Sequence, residues 1–167
     1  MVRVAQNAAV AFCLMTLCAR GAAGQVVAPP PTPYGPPVTL EQARKAATAS
    51  RLKAQQNNWS VAIAVVDPSG TLVYFEKMDN VQNGSVEVAI DKSRSAALFK
   101  RSTKIFMDAV AKGGDGWRFL ALRGAVPIEG GLPLIVDGKS IGAIGLSGGS
   151  GDQDGETAQA GAAALLK

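Results

Sequence analysis

The sequence predicts an α+β domain: a single layer of antiparallel sheet built from two hairpins, with helices packed on it, of profilin- or PAS-like shape. Two hairpin signals carry most of this expectation. Residues 61–66 and 71–77 are β-branched and apolar runs separated by Asp67-Pro68-Ser69-Gly70, where proline presets φ and glycine admits positive φ. Residues 134–136 and 139–146 flank Asp137-Gly138, a dipeptide that suits a two-residue hairpin turn because both central positions take positive φ. The third observation is the helical patterning before, between and after the hairpins.

The domain is expected to begin at Thr39. Thr39-Leu40-Glu41-Gln42 reads as a capping box, with Thr39 as N-cap and Gln42 reaching back. Leu40, Ala43, Ala47, Leu52 and Ala54 then form a weak apolar stripe to about residue 56. After the first hairpin and a polar loop at 79–84, Ser85 is expected to cap a second helix over 86–99. Its apolar face is read as Val86, Ile90, Ser93 and Ala97, with Ala89 and Ala96 beside them. A third helix is expected over 103–111, ending at Gly113-Gly114. Residues 117–122 form a short apolar stretch of unassigned state. Gly130-Gly131-Leu132-Pro133 leads into the second hairpin. A glycine-rich segment, 142–151, precedes an alanine-rich last helix over about 154–166, which Asp152 and Asp154 are expected to cap.

Upstream, residues 25–38 contain Pro29-Pro30-Pro31, Pro33 and Pro36-Pro37 and read as an extended, poorly ordered spacer. Residues 1–24 have the three parts of a secretory signal: Arg3, an apolar run at 8–18, and Ala22-Ala23-Gly24 before a cut at Gln25. The apolar run is too short for a spanning helix, which needs about 20 residues. A periplasmic or secreted protein is therefore expected, free of the membrane after cleavage. Cys13 and Cys18 leave with the signal, so the mature chain has no thiol and no disulfide.

Composition narrows the chemistry. The chain has no histidine, which removes the commonest general base and the Ser-His-Asp hydrolases. Losing Arg3 and Arg20 leaves the mature chain two charges above neutral. The basic residues are dispersed and aromatics are few, so no nucleic-acid partner is expected. No metal site is expected either.

The glycine-rich segment runs from strand to helix start, where free N–H groups can hold an anion; it matches neither a P-loop nor a dinucleotide fingerprint. Equally, its glycines serve close strand packing. Glu76 and Asp79 end the first hairpin, where a carboxylate can bind a cation, act as a base or pair with Lys92 or Arg94, or simply belong to a solvated loop. Lys92 reads as a solvated helix residue by default, or else as a buried, functional amine.

Val65-Val66-Asp67-Pro68-Ser69-Gly70, Phe75-Glu76-Lys77-Met78-Asp79, Ala89-Ile90-Asp91-Lys92-Ser93-Arg94-Ser95-Ala96, Gly130-Gly131-Leu132-Pro133, Gly142-Ala143-Ile144-Gly145-Leu146-Ser147-Gly148 and Gln153-Asp154, in this order, resemble the GlcG/HbpS family of haem-binding proteins. The resemblance spans about 38–167. It implies one α/β domain, symmetric homo-oligomers, and haem or another small organic ligand held near these motifs. Related domains are linked to corrinoid handling and glycolate pathways. Ligand contacts are accordingly expected from Tyr74, Met78, Lys92, Arg94, Gly130, Gly131, Gly145, Ser147 and Gly148.

The missing histidine is a departure, since haem iron is often held by an axial His. The iron would be met by Tyr74, Met78, Met107, Lys92, a hydroxyl or water, or the porphyrin would be held by its face and propionates. Lys92, Arg94 or the last helix's N-terminus would meet those propionates. Two other readings stay open. One is an enzyme on a small organic acid or aromatic catabolite, with Glu76 or Asp79 as acid or base and Lys92 as an electrophilic or Schiff-base group. The backbone of 145–148 would be its oxyanion site. The other is a partner-binding subunit without chemistry.

Overall fold

The structure is a computed structural model that describes residues 31–166. The chain runs through α1 (Leu40–Gln56), β1 (Ala62–Val66), β2 (Leu72–Lys77), α2 (Ser85–Phe99), α3 (Thr103–Ala111), a 3-10 segment (Gly114–Leu120), β3 (Gly131–Val136), β4 (Lys139–Ser147), α4 (Gly151–Ala163) and a last 3-10 turn (Ala164–Leu166). The four strands form one antiparallel sheet in the order β2-β1-β4-β3. The two hairpins thus join through β1 and β4, with Ala62 opposite Ser147 and Val66 opposite Ala143. The α+β fold expected from the sequence is the one observed.

The two faces of the sheet are built differently. On one face Ile63, Val65, Ile144 and Leu146 bury against Ala43, Ala46, Ala47 and Ala54 of α1 and Ala158 of α4. Each large aliphatic removed from water there contributes about 1.5–3 kcal/mol. On the other face Ala62, Ala64, Val66 and Ala143 meet Ala89, Ala96 and Ala97 of α2. Small residues are needed on that side because α2 lies almost on the strands. A Cβ on Gly145 would collide with the Ala89 carbonyl oxygen, and one on Gly131 with the Lys92 carbonyl oxygen.

Local signals explain most boundaries. Thr39 closes the expected capping box on Gln42. Asp137 and Gly138 take φ of 50° and 72°, as a tight hairpin turn requires. Helix α3 has the expected span and is capped by Ser102.

Several expectations are corrected. Gly84 is the N-cap of α2, and Ser85 is its first helical residue, with a buried hydroxyl that has no hydrogen-bond partner among the described residues. The buried face of α2 is Ala89, Lys92, Ser93 and Ala96 with Ser95 and Ala97, while Val86 and Ile90 are half-buried. Helix α4 starts earlier than expected, capped by a second box between Ser150 and Gln153 and by neither Asp152 nor Asp154.

Residues 33–38 also differ from the expected loose spacer. Gly35 N–H donates to the Ser140 carbonyl and Val38 N–H to that of Ile141, extending the pairing along β4 beyond the end of β1. Val38 is buried in the core, and the Tyr34 hydroxyl donates to the Leu98 carbonyl at the end of α2. The proline content favours extended backbone, and an extended segment is what an open strand edge accepts. The expected signal (1–24) and residues 25–30 of the spacer lie outside the described residues. Among the described residues no helix is long and apolar enough to cross a membrane.

Candidate functional site

The residues singled out by the sequence fall into separate places. The first is a cleft of about 380 Å³ at the end of β2. Arg51 and Gln55 come from α1, Ser60 from the loop before β1, and Glu76, Lys77, Met78 and Asp79 from the end of β2 and its following loop. Glu76 stands opposite Ile63 in the sheet register and so faces α1. There its Oε1 lies 3.1 Å from Arg51 Nε, and its Oε2 accepts from the Tyr74 hydroxyl at 3.1 Å. Arg51 also donates to Gln55 Oε1 at 3.2 Å. Burial, the hydrogen bond to Glu76 and its negative charge push the Tyr74 phenol above its ordinary pKa, against the opposing pull of Arg44 and Arg51.

The second place is interior. Lys92 is 1% exposed and Asp154 is 3% exposed, so the solvated-face reading of Lys92 fails and the buried one holds. Lys92 Nζ donates to Asp154 Oδ2 at 2.7 Å and to the Leu146 carbonyl at 2.9 Å. Asp154 Oδ1 accepts the Gly149 N–H at 3.0 Å, which fixes the glycine loop before α4. Burial pushes the Asp154 carboxyl above its ordinary pKa, opposed by the Lys92 contact and the Gly149 N–H.

Gly130 makes room for this pair. A Cβ there, at φ 124°, would stand 2.9 Å from Lys92 Nζ and 2.8 Å from Asp154 Cβ. Gly131 and Gly145 lie under α2, and Gly148 lies against the Ser60 carbonyl. Ser147 is buried at the end of β4. These glycines are therefore occupied by packing. Lys92 does not line the cleft that holds Glu76 and Asp79, so the structure does not assemble a lysine with those carboxylates. Arg94 is elsewhere again: its Nε donates to the Gly70 carbonyl at 3.3 Å, at the first hairpin turn.

A third place was missed. Beside the 3-10 segment lies a groove of about 340 Å³ lined by Phe119, Ala121, Leu122 and Arg118. Phe119 is held by Phe106, with ring centroids 5.2 Å apart, and Phe106 in turn by Phe99 at 5.3 Å. The Arg118 guanidinium sits 5.3 Å from the Phe119 ring centroid. Trp117 and Leu120 on the same segment are 62% and 64% exposed. The available signal was the run Trp117-Arg118-Phe119-Leu120-Ala121-Leu122-Arg123, in which bulky apolar residues alternate with arginines. It has no clean helical or strand period, because a 3-10 segment has neither. Among the described residues no group of three or more His, Cys, Asp or Glu is arranged to hold a metal ion.

Comparison with known proteins gives consistent matches. A family profile described as "Haem degrading protein HbpS-like" matches residues 38–163. Protein GlcG of Escherichia coli K12 is 39% identical over 99 residues, 59% of this chain and 72% of GlcG. The crystal structure of HbpS superposes with a TM-score of 0.72 at 30% identity, covering 80% of this chain and 93% of HbpS. A crystal structure of a PduOC–haem complex superposes with a TM-score of 0.69 at 28% identity, covering 78% of this chain and 99% of PduOC.

Proposed function

Because the chain belongs to the HbpS-like family, we propose that it is an exported haem-binding protein that holds the porphyrin by its face and carboxylates, with no histidine on the iron. Export rests on the signal-like N-terminus, and haem on the family match and the PduOC–haem relative.

The residues present fit haem at one of the places described above. The cleft at the end of β2 is lined mainly by charged and amide groups, a poor surface for an apolar macrocycle. The Tyr74 hydroxyl beside it is already engaged, donating to Glu76 Oε2 at 3.1 Å. The groove beside the 3-10 segment has the matching chemistry. Phe119 and Leu122 offer an apolar wall for the ring. Arg118 in the groove is an exposed guanidinium suited to bidentate pairing with a propionate, and Arg123, also exposed, follows Leu122 in the chain. That juxtaposition, an apolar groove with the Arg118 guanidinium in its wall, is the observation that carries the reading. Bound haem supplies a redox-active iron, and this chain's residues supply capture and orientation of the ring. Capture without a protein axial ligand suits haem transfer or sensing.

Titration of the purified protein with haemin tests the reading. A saturable Soret shift with a stoichiometry near one per chain is expected. A flat titration at micromolar protein overturns it.

A further inference from the structure

We propose that the cleft at the end of β2 is a second binding site, independent of haem, for a polar α-amino acid or a small zwitterion of that kind. Its charges are what single it out. Arg51 and Lys77 are positive, Glu76 and Asp79 negative, and all four line the same space of about 380 Å³. A net anion or cation gains nothing from such a lining, whereas a molecule with both charges close together matches it.

The roles divide by which groups are already engaged. Both Glu76 oxygens are used, one by Arg51 and one by the Tyr74 hydroxyl. Glu76 therefore orients Arg51 from Nε, and Gln55 steadies it from one terminal nitrogen. The second terminal nitrogen, which has no partner among the described residues, is left to meet a ligand carboxylate, with a guanidinium plane already fixed in place. Asp79 is exposed, and among the described residues it makes no ion pair. It is the group for the ligand ammonium. Gln55 and Ser60 supply an amide and a hydroxyl for a polar side chain. A volume in the range of small-molecule sites, with few apolar atoms, suits a small and polar ligand.

Isothermal titration of the whole protein with L-glutamine tests this against two truncated analogues, glutaramic acid, which lacks the ammonium, and 4-aminobutanamide, which lacks the carboxylate. L-glutamine is expected to bind at least tenfold tighter than either analogue. D79N should erase its advantage over glutaramic acid, and R51K should weaken it about tenfold, with both variants keeping the wild-type haemin titration. Equal binding of all three compounds, no binding of L-glutamine at millimolar concentration, or full binding by D79N each overturns the proposal. Because haemin is titrated in parallel, failure here is distinguishable from failure of the haem reading.

Discussion

Lys92 Nζ lies 2.7 Å from Asp154 Oδ2 with both side chains almost wholly out of water, and this pair ties α2 to the first turn of α4. A second Lys92 hydrogen bond, to the Leu146 carbonyl, and the Gly149 N–H on the other carboxylate oxygen complete its satisfaction. Removing one partner leaves the other charge buried and unpaired, which costs about 3–5 kcal/mol. K92M and D154N are each expected to lower the unfolding free energy by that order in urea denaturation. The double variant K92M/D154N should lose clearly less than the sum of the two. Strict additivity would show that the pair is not coupled.

The close seat of α2 on β4 makes a second prediction. Gly145→Ala puts a Cβ against the Ala89 carbonyl oxygen and within 2.5 Å of Ser93 N, both backbone atoms that cannot swing away. Overpacking of this kind costs about 1–3 kcal/mol or more. Thermal unfolding should show a marked fall in Tm. Gly138→Ala meets no atom within 4 Å and is strained only by its positive φ, so its loss should be smaller.

Acid sensitivity should trace to Asp67. Burial works against its ionised form, but hydrogen bonds from the Ser69 hydroxyl and from the backbone N–H groups of Thr71, Ser69 and Gly70 outweigh it, so its carboxyl lies below the ordinary value of 3.8. A group more acidic in the folded state binds fewer protons there than in the unfolded chain. Its stabilisation is therefore full above 3.8 and is lost as pH falls through the folded value. Denaturation of D67N followed between about pH 2 and 6 should show a flatter decline than wild type. An unchanged slope would place the acid sensitivity elsewhere.

For haem, Leu122→Asp puts a charge in the groove at a residue already 40% exposed, so folding should survive while haemin affinity falls at least tenfold. R118A/R123A should weaken binding severalfold and reduce its salt dependence, since exposed guanidinium–carboxylate attraction is screened. The Soret titration at low and high salt reads both effects. Wild-type affinity in L122D would remove the groove from the haem reading.

Both hairpins, their turns and the α1 cap were legible in the sequence because each depends on residues within a few positions of one another. Asp137-Gly138 needs only its own φ preferences, and Thr39 needs only Gln42. The α2 boundary was misread because Ser85 is a good cap in isolation, whereas the preceding turn, with Ser85 N–H donating to the Gln82 carbonyl, starts the helix one residue early. The groove at Phe119 and Leu122 was hidden because the 3-10 segment repeats every three residues, matching neither the α-helical nor the strand pattern, and because Leu122 lies just beyond it.

By itself, then, the sequence determined the order of elements, the antiparallel pairing within each hairpin, and the absence of any histidine for haem or catalysis. The tertiary structure decided which charges meet. Lys92 and Asp154 stand 62 positions apart, and Arg51 and Glu76 sit on different elements. Local propensity is blind to such pairs, because a side chain's partner and its burial are set by how α1, α2 and α4 seat on the sheet. The same seating made Lys92 a buried tie, with Gly130 and Gly131 leaving the space that lets it fit and Gly145 leaving room for the α2 backbone.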